Sequence, residues 1–280
     1  MPAQLQPNSP AKPAVAALSG WGNFPRARGY CRGPLEPPAD LGDFKNFPQL
    51  IARGMGRSYG DASLPPDGAL AVATRWQNKF IAFDRERGLL TAQAGITLQE
   101  ILDVIIPAGW FLPVTPGTRH VSLGGALASN VHGKNHHAVG AIVQFTESLQ
   151  VLTETGVFEC SRAQHTELFF ATVGGYGLTG FITQATVRLK KIETAWIDTR
   201  LVKVPDLDAA MATSLELEKS FEYSVVWIDS LARGKSFGRG IVMAGNHAKV
   251  SDLNGDAVFK PLENSWATEI SAPKKFPGWC

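Results

Sequence analysis

Arg53-Gly54-Met55-Gly56-Arg57-Ser58-Tyr59-Gly60-Asp61, coming directly after the apolar run Gln49-Leu50-Ile51-Ala52, is the stretch on which the reading of this chain turns. A glycine string that follows a short strand lets successive backbone N–H groups turn inward, forming a nest that wraps a diphosphate. Arg57 would add charge-assisted hydrogen bonds, and Ser58 and Tyr59 add hydroxyl donors. The same residues also read as a glycine-rich surface turn carrying an exposed arginine.

Working outward, a second glycine region runs from Pro116-Gly117-Thr118-Arg119 to Ser122-Leu123-Gly124-Gly125-Ala126-Leu127-Ala128-Ser129-Asn130-Val131-His132-Gly133. A helix start with so little side-chain bulk suits close approach of a flat or phosphate-bearing ligand. Tight packing through small residues would leave the same trace. A third loop, Gly175-Tyr176-Gly177-Leu178-Thr179-Gly180, matches G-x-G-x-x-G letter for letter. A dinucleotide fingerprint must follow a strand and open a helix. This one follows a helix-like segment and opens a strand, so nicotinamide binding is rejected. His132-Gly133-Lys134-Asn135-His136-His137 places three histidines within six residues. Gly133 disfavours the helix that would align His132 with His136, and no cysteine or carboxylate pattern accompanies them, so no metal is expected. The better reading is a polar rim beside a bound group, with His132 and Lys134 facing anionic or electron-rich atoms.

Around these loops, strands are expected at 69–73, 80–84, 89–94, 145–153, 157–161 and 181–189. Thr97 and Glu100 form a capping box for a helix with the apolar stripe Leu98, Ile101, Leu102 and Ile105. Trp21 to Asp40 reads as irregular. Beyond about residue 193 the pattern becomes strand, helix opened by Asp206, then strands near 223–228 and 240–244, a second β-α-β unit. Short hairpinned strands mixed with helices make the fold α+β rather than a doubly wound parallel sheet. A net charge of +2 with scattered Lys and Arg gives no footing for nucleic acid. No apolar run reaches the roughly 18 residues of a membrane span. The proline-rich stretch before residue 20 lacks the apolar core of a secretion signal and reads as a flexible tail. Three widely spaced cysteines argue for reduced thiols. A cytoplasmic home is expected, with peripheral membrane association left open.

Taken together, ARGMGRSYGD (52–61), PGTRHVSLGGALASNVHGKNHH (116–137) and ELFFATVGGYGLTGFITQATV (167–187) resemble the flavoenzymes of the vanillyl-alcohol oxidase type, with a PCMH-type FAD-binding fold. HGKNHH directs the resemblance to the branch acting on decaprenylphosphoryl-ribose. The resemblance implies a two-part FAD domain over residues 21–193, followed by an incomplete substrate domain over 194–280. It implies that Arg53, Gly54, Met55, Gly56, Arg57, Ser58, Tyr59, Gly60 and Asp61 hold the pyrophosphate. Gly117, Ser122, Leu123, Gly124, Gly125, Ser129, Asn130, Val131 and His132 would line the ADP-to-flavin region, with Ile182 nearby. Tyr59, His132 and Lys134 would stand on the catalytic side of the flavin and Trp227 on the substrate wall; Trp227 also reads as a core residue.

Many members attach FAD through a histidine in the first glycine loop, where this chain has Arg57, so FAD is expected without a covalent bond. The family pattern continues past residue 280, so the chain reads as truncated. The implied activity is oxidation of a secondary alcohol of a sugar or polyprenyl-phosphate sugar by hydride transfer to flavin, with an NAD(P)H-dependent reductase partner completing a 2'-epimerisation. An aldonolactone or alditol oxidase is the alternative enzyme. A non-catalytic flavin-binding remnant is the alternative of another class.

Overall fold

The computed structural model describes residues 14–32, 49–66 and 69–253. Expectations resting on 1–13, 33–48, 67–68 and 254–280 lie outside the described residues. Four strands, β1 (Ala14–Ser19), β2 (Arg26–Arg32), β3 (Leu50–Arg53) and β4 (Leu70–Ala73), form a first sheet in the order β1-β2-β4-β3. β1 and β2 are antiparallel, while β4 runs parallel to both its neighbours. As the interior strand, β4 buries Leu70, Ala71 and Val72 completely.

Two expectations are corrected here. Ala14–Ser19, placed by sequence in the flexible tail, pairs with β2 along its whole length. The prolines that interrupt the preceding stretch end at Pro13, so every later residue has an N–H for the ladder. Leu18 then anchors the strand against Leu64 and Ala71. β2 itself lies in the stretch expected to be irregular. Its partners β1 and β4 come from other parts of the chain, and a strand made by tertiary pairing is weakly marked in local sequence.

The chain continues through β5 (Phe80–Asp84), β6 (Leu89–Gln93), α1 (Leu98–Ile105), β7 (Trp110–Phe111), α2 (Leu123–Ala128), α3 (His136–Val139), β8 (Thr146–Thr153), β9 (Gly156–Ser161), α4 (Thr166–Thr172), β10 (Phe181–Arg188) and β11 (Lys190–Lys191). Five of these strands make an antiparallel sheet in the order β5-β6-β10-β8-β9. α1 starts as the sequence dictates. The Glu100 N–H donates to Thr97 Oγ1 at 3.2 Å, and the Thr97 N–H donates back to Glu100 Oε2 at 2.7 Å. Burial pulls the Glu100 carboxyl upward, but hydrogen bonds from Thr97 and Asn78 outweigh it and leave the group below its ordinary value. Leu98, Ile101 and Ile105 are buried in the main core with Leu90, Leu149 and Phe169. Each such side chain contributes about 1.5–3 kcal/mol relative to exposure. The thiol of Cys160, free and buried in the same core, is pushed up by burial and by Glu159. Leu152 and Phe181 meet Leu70 and Val72, which joins the two sheets.

The last elements are β12 (Ile197–Val204), α5 (Leu207–Leu217), β13 (Tyr223–Ile228) and β14 (Gly240–His247). β12 and β13 both pair antiparallel to β14, so they run parallel to each other with β14 between them. The unit is β-α-β with a strand interleaved. Asp206 caps α5 by accepting from the Ala209 N–H at 2.8 Å. Val204, Ala210, Leu217, Val242 and Ala244 close the core under that helix. The other sheet face leaves Leu201, Trp227 and Ile241 exposed. One mixed sheet and otherwise antiparallel sheets, with helices packed against them, make the fold α+β. Among the described residues no helix is long and apolar enough to cross a membrane.

Candidate functional site: a groove between three glycine loops

The first glycine loop leaves β3 at the edge of the first sheet. Arg53 turns back into the protein, its Nη2 donating to the Ser19 carbonyl at 2.7 Å. Gly56 has φ +63°, and a Cβ there would lie 2.7 Å from that guanidinium, so this turn needs glycine on both counts. The Ser58 carbonyl accepts from the Trp21 N–H at 2.9 Å. The amides of residues 55–60, by contrast, donate to no protein acceptor among the described residues. Consecutive donors of this kind are what an anion-wrapping nest requires. Met55 and Ser58 are half-buried, while Arg57, Tyr59, Gly60 and Asp61 are exposed. The Arg57 guanidinium stands over the Trp21 ring, 4.9 Å from its centroid.

The second glycine region is built differently, with the amides at its helix start taken up inside the protein. The Leu123 N–H donates to the Ile96 carbonyl and the Gly124 N–H to the Ala94 carbonyl, both at 2.7 Å. The Gly125 N–H donates to Ser122 Oγ at 3.2 Å. Leu123 is a core residue, and Gly124 packs on Ala94. The small residues here let backbone approach backbone. Ser129 caps the helix end, Asn130 accepts from the Val143 N–H, and Val131 packs on the core. Gly117 is exposed with open space around it.

The third loop lies between α4 and β10, helix before and strand after. Gly174 and Tyr176 donate their N–H groups to the Leu127 and Ala128 carbonyls, so the loop closes the end of α2. All three loops meet around one groove. Ala52, Gly54 and Thr74 line it from the first sheet and the loops at its strand ends, Ala94 from the end of β6, Ser122, Gly124, Gly125 and Ala128 from the second region, Tyr176, Gly177 and Gly180 from the third, and Ile182 from β10. Its walls are almost entirely small. A Cβ on Gly54 would reach 2.2 Å from Ser122 Oγ, so the first and second loops touch without side-chain bulk between them. The groove lies beside a loop with unengaged amides, and these residues fit a long, flat, diphosphate-bearing cofactor. The lining positions Ala52, Thr74 and Ala94 were not foreseen from sequence, because nothing local marks a residue that lines a groove from a strand end; Tyr176, Gly177 and Gly180 belong to the third glycine loop that the sequence singled out.

Of the expected catalytic-side residues, His132 and Lys134 share one loop and are exposed. The His132 and His136 rings lie 4.9 Å apart at 48°. The Lys134 carbonyl accepts from the Ser224 N–H at 2.9 Å, which brings this loop to β13, the strand that carries Trp227. Tyr59 is 81% exposed on the first loop. Among the described residues no hydrogen bond or ring contact joins it to His132 or Lys134. Trp227 is 59% exposed, which rules out the core reading.

Sequence reasoning missed the polar junction behind this loop. Asn135 is fully buried, and its Nδ2 donates to the Pro113 carbonyl at 2.8 Å and to Glu222 Oε1 at 3.2 Å. Glu222 is ion-paired with Lys190, whose ammonium also lies 5.1 Å from the centre of the Tyr223 ring. Burial, with the Glu222 charge beside it, pushes the Tyr223 phenol well above its ordinary value. His247 packs edge-on against Phe111 and Tyr223. Its Nδ1 lies 3.1 Å from the Thr194 carbonyl, which can only accept, so a neutral ring carries its proton there. Burial and then the Lys190 charge hold its pKa down. The signal available in sequence was Asn135, the one short amide inside a run of basic residues.

Comparison with known proteins agrees with this geometry. The FAD binding domain family matches residues 45–161. The chain is 33% identical over 231 residues, 81% of its length, to decaprenylphosphoryl-beta-D-ribose oxidase of Mycolicibacterium smegmatis, of which it covers 50%. L-galactono-1,4-lactone dehydrogenase of Arabidopsis thaliana is 27% identical over 48% of this chain and 22% of that protein. The solved structure of alkyldihydroxyacetonephosphate synthase shares the fold, with a TM-score of 0.66 over 79% of this chain and 47% of that one at 17% identity. The chain therefore spans about half the length of the oxidase and of the synthase, and less of the lactone dehydrogenase. The glycine loops, the groove walled by small residues and these relatives lead to one assignment: residues 45–161 are an FAD binding domain, the fold is of the PCMH type, and the cofactor is FAD.

Proposed function

We propose that the chain is the flavin-binding part of an enzyme that oxidises a secondary alcohol on a sugar-like substrate, in the manner of a decaprenylphosphoryl-ribose 2'-oxidase. The observation that carries this reading is the 33% identity to such an oxidase across 81% of the chain. Bound FAD supplies the hydride acceptor. In this reading residues 21–193 hold the cofactor and residues from 194 onward begin the substrate side. The amides of residues 55–60, with Arg57, hold the diphosphate, and Ser122 to His132 line the path from the ADP to the flavin ring. His132 and Lys134 orient the substrate from the flavin side. Trp227, presented on an exposed sheet face, supplies an apolar wall that excludes water. Attachment is non-covalent, because Arg57 stands where relatives carry a linking histidine. A reductase using NAD(P)H is the expected partner if the reaction is half of an epimerisation.

A second reading, an aldonolactone oxidase, draws on the similarity to the lactone dehydrogenase. The experiment that separates them is anaerobic. FAD-loaded protein is mixed with ribosyl, alditol and aldonolactone substrates, and flavin bleaching is followed. Bleaching by the ribosyl compound at about 1 per second or faster supports the proposal. Bleaching by the lactone alone replaces it with the second reading, and no bleaching by any of them favours the non-catalytic flavin-binding remnant over both. Acid precipitation of the same preparation should leave the flavin in the supernatant; colour in the pellet would show a covalent bond.

A further inference from the structure

We propose that Glu222 is a positioning residue that fixes the loop of residues 132–137 against β13. The assignment rests on the reading of His132 and Lys134 given above, and says what holds them in place. His132, Lys134 and His136 are exposed, and Asn135 is the fully buried residue of the loop. Its side chain is the loop's buried anchor. The amide of Asn135 is oriented by its donor end, since Nδ2 reaches two acceptors while Oδ1 is buried with no hydrogen-bond partner. One acceptor, the Pro113 carbonyl, belongs to the flavin-side core. The other, Glu222 Oε1, comes from the residue before β13.

Glu222 is itself held from two directions. Its second oxygen is paired with the Lys190 ammonium, and its backbone N–H donates to Asn246 Oδ1 at 2.7 Å. Two residues on, the Ser224 N–H takes the Lys134 carbonyl at 2.9 Å. The Ser224 hydroxyl donates to Glu218 Oε1 at 2.8 Å, and His137 Nδ1 approaches the same oxygen at 3.9 Å. The loop is pressed close as well: a Cβ on Gly133 would lie 2.8 Å from Asn135 Oδ1 and 3.1 Å from the Thr115 backbone. The Lys134–Ser224 bond and the Asn135–Glu222 bond thus tie two successive residues of the loop to β13 and the residue before it. A half-buried carboxylate that receives a hydrogen bond from a fully buried amide holds its partner more firmly than a neutral acceptor would.

Hydrogen exchange on the FAD-loaded chain tests this without a substrate. In Glu222→Ala the amides of Ser224, Ala138 and Val139, which donate to the Lys134 and Asn135 carbonyls, should exchange about tenfold faster or more, while those of 98–105 keep the parent's rates. Glu222→Gln keeps an acceptor for Asn135 and should restore most of the protection. The visible circular dichroism of bound FAD should move with the alanine variant and return with glutamine. Unchanged exchange in Glu222→Ala, or a glutamine variant as fast as the alanine one, overturns the assignment. Asn135→Asp approaches the same bond from the other side with the Lys190 pair intact. It should open the loop to a similar degree, and parental protection there also overturns the assignment. A failure to oxidise any sugar strikes at the proposed reaction alone, because loop protection is read with no substrate present.

Discussion

Residues 53–61 and 122–129 are both glycine strings beside the same groove, yet their backbones are used in opposite ways. In the first, the amides of residues 55–60 donate to nothing in the protein among the described residues. In the second, the amides of Leu123, Gly124 and Gly125 are all taken up by Ile96, Ala94 and Ser122. One loop keeps donors that no described residue accepts. The other uses the missing side chains to bring a helix within contact of a β-strand's end, and so shapes the wall. Glycine permits both, and composition alone does not say which.

The largest effect that would break this contrast is on stability. Gly124→Val adds a branched side chain whose Cβ would lie 2.9 Å from Ala94 Cβ and 3.1 Å from its carbonyl oxygen. Backbone on the far side cannot rotate away, so overpacking of about 2–3 kcal/mol is expected. Urea unfolding of the FAD-free chain measures it. A variant within about 0.5 kcal/mol of the parent would mean the wall is looser than described.

Arg57→Ala should show the reverse profile. The guanidinium is exposed and its described contact is the face of Trp21, worth about 0.5–1 kcal/mol at such a site. Stability should therefore change little. A charge-assisted contact to phosphate is worth about 1.5–3 kcal/mol, so FAD affinity should fall about tenfold or more. Titration of the FAD-free protein with FAD measures this. Equal affinity in the two proteins would reduce Arg57 to a partner of Trp21.

How far each region could be read from sequence follows from the same distinction. The Thr97 and Glu100 box, the Asp206 cap, the hairpin β8–β9 and the helix-loop-strand order around Gly177 are local signals, and all stand in the structure. Strand β2 and the pairing of Ala14–Ser19 depend on distant partners, and no local pattern marked them. The expected site residues Gly54, Ser122, Gly124, Gly125 and Ile182 do line one groove. That the amides of residues 123–125 are taken up inside the protein was not legible, because ligand contact and close packing call for the same small residues. Lys190, Glu222 and His247 went unread for a third reason. They are far apart in sequence and become a cluster only when β11, the start of β13 and the end of β14 converge.

The smallest expected effect is on acid stability, and it sharpens the contrast between loops that await a ligand and a junction that is already closed. His247 is half-buried, with Nε2 buried and unpartnered and Nδ1 directed at the Thr194 carbonyl. Around it stand the aromatic rings of Phe111 and Tyr223 and the charges of Lys190 and Glu222. Burial first, and the Lys190 charge second, hold its pKa below the ordinary 6.5. The unfolded chain therefore binds a proton near pH 6.5 that the folded ring still refuses. Stability from this group is fully present above that pH. It falls as the pH drops from there toward the lower folded value, since the unfolded state then holds more protons. His247→Gln removes the titration while keeping an amide donor for the Thr194 carbonyl. Between about pH 7.5 and about pH 5 the parent's melting temperature should therefore fall more steeply than the variant's. Lys190, Glu222 and the other carboxylates are common to both proteins, so their own acid response cancels in the difference. Parallel slopes would mean that the ring takes up its proton inside the folded junction as readily as in the unfolded chain, and that the junction opens to water in solution.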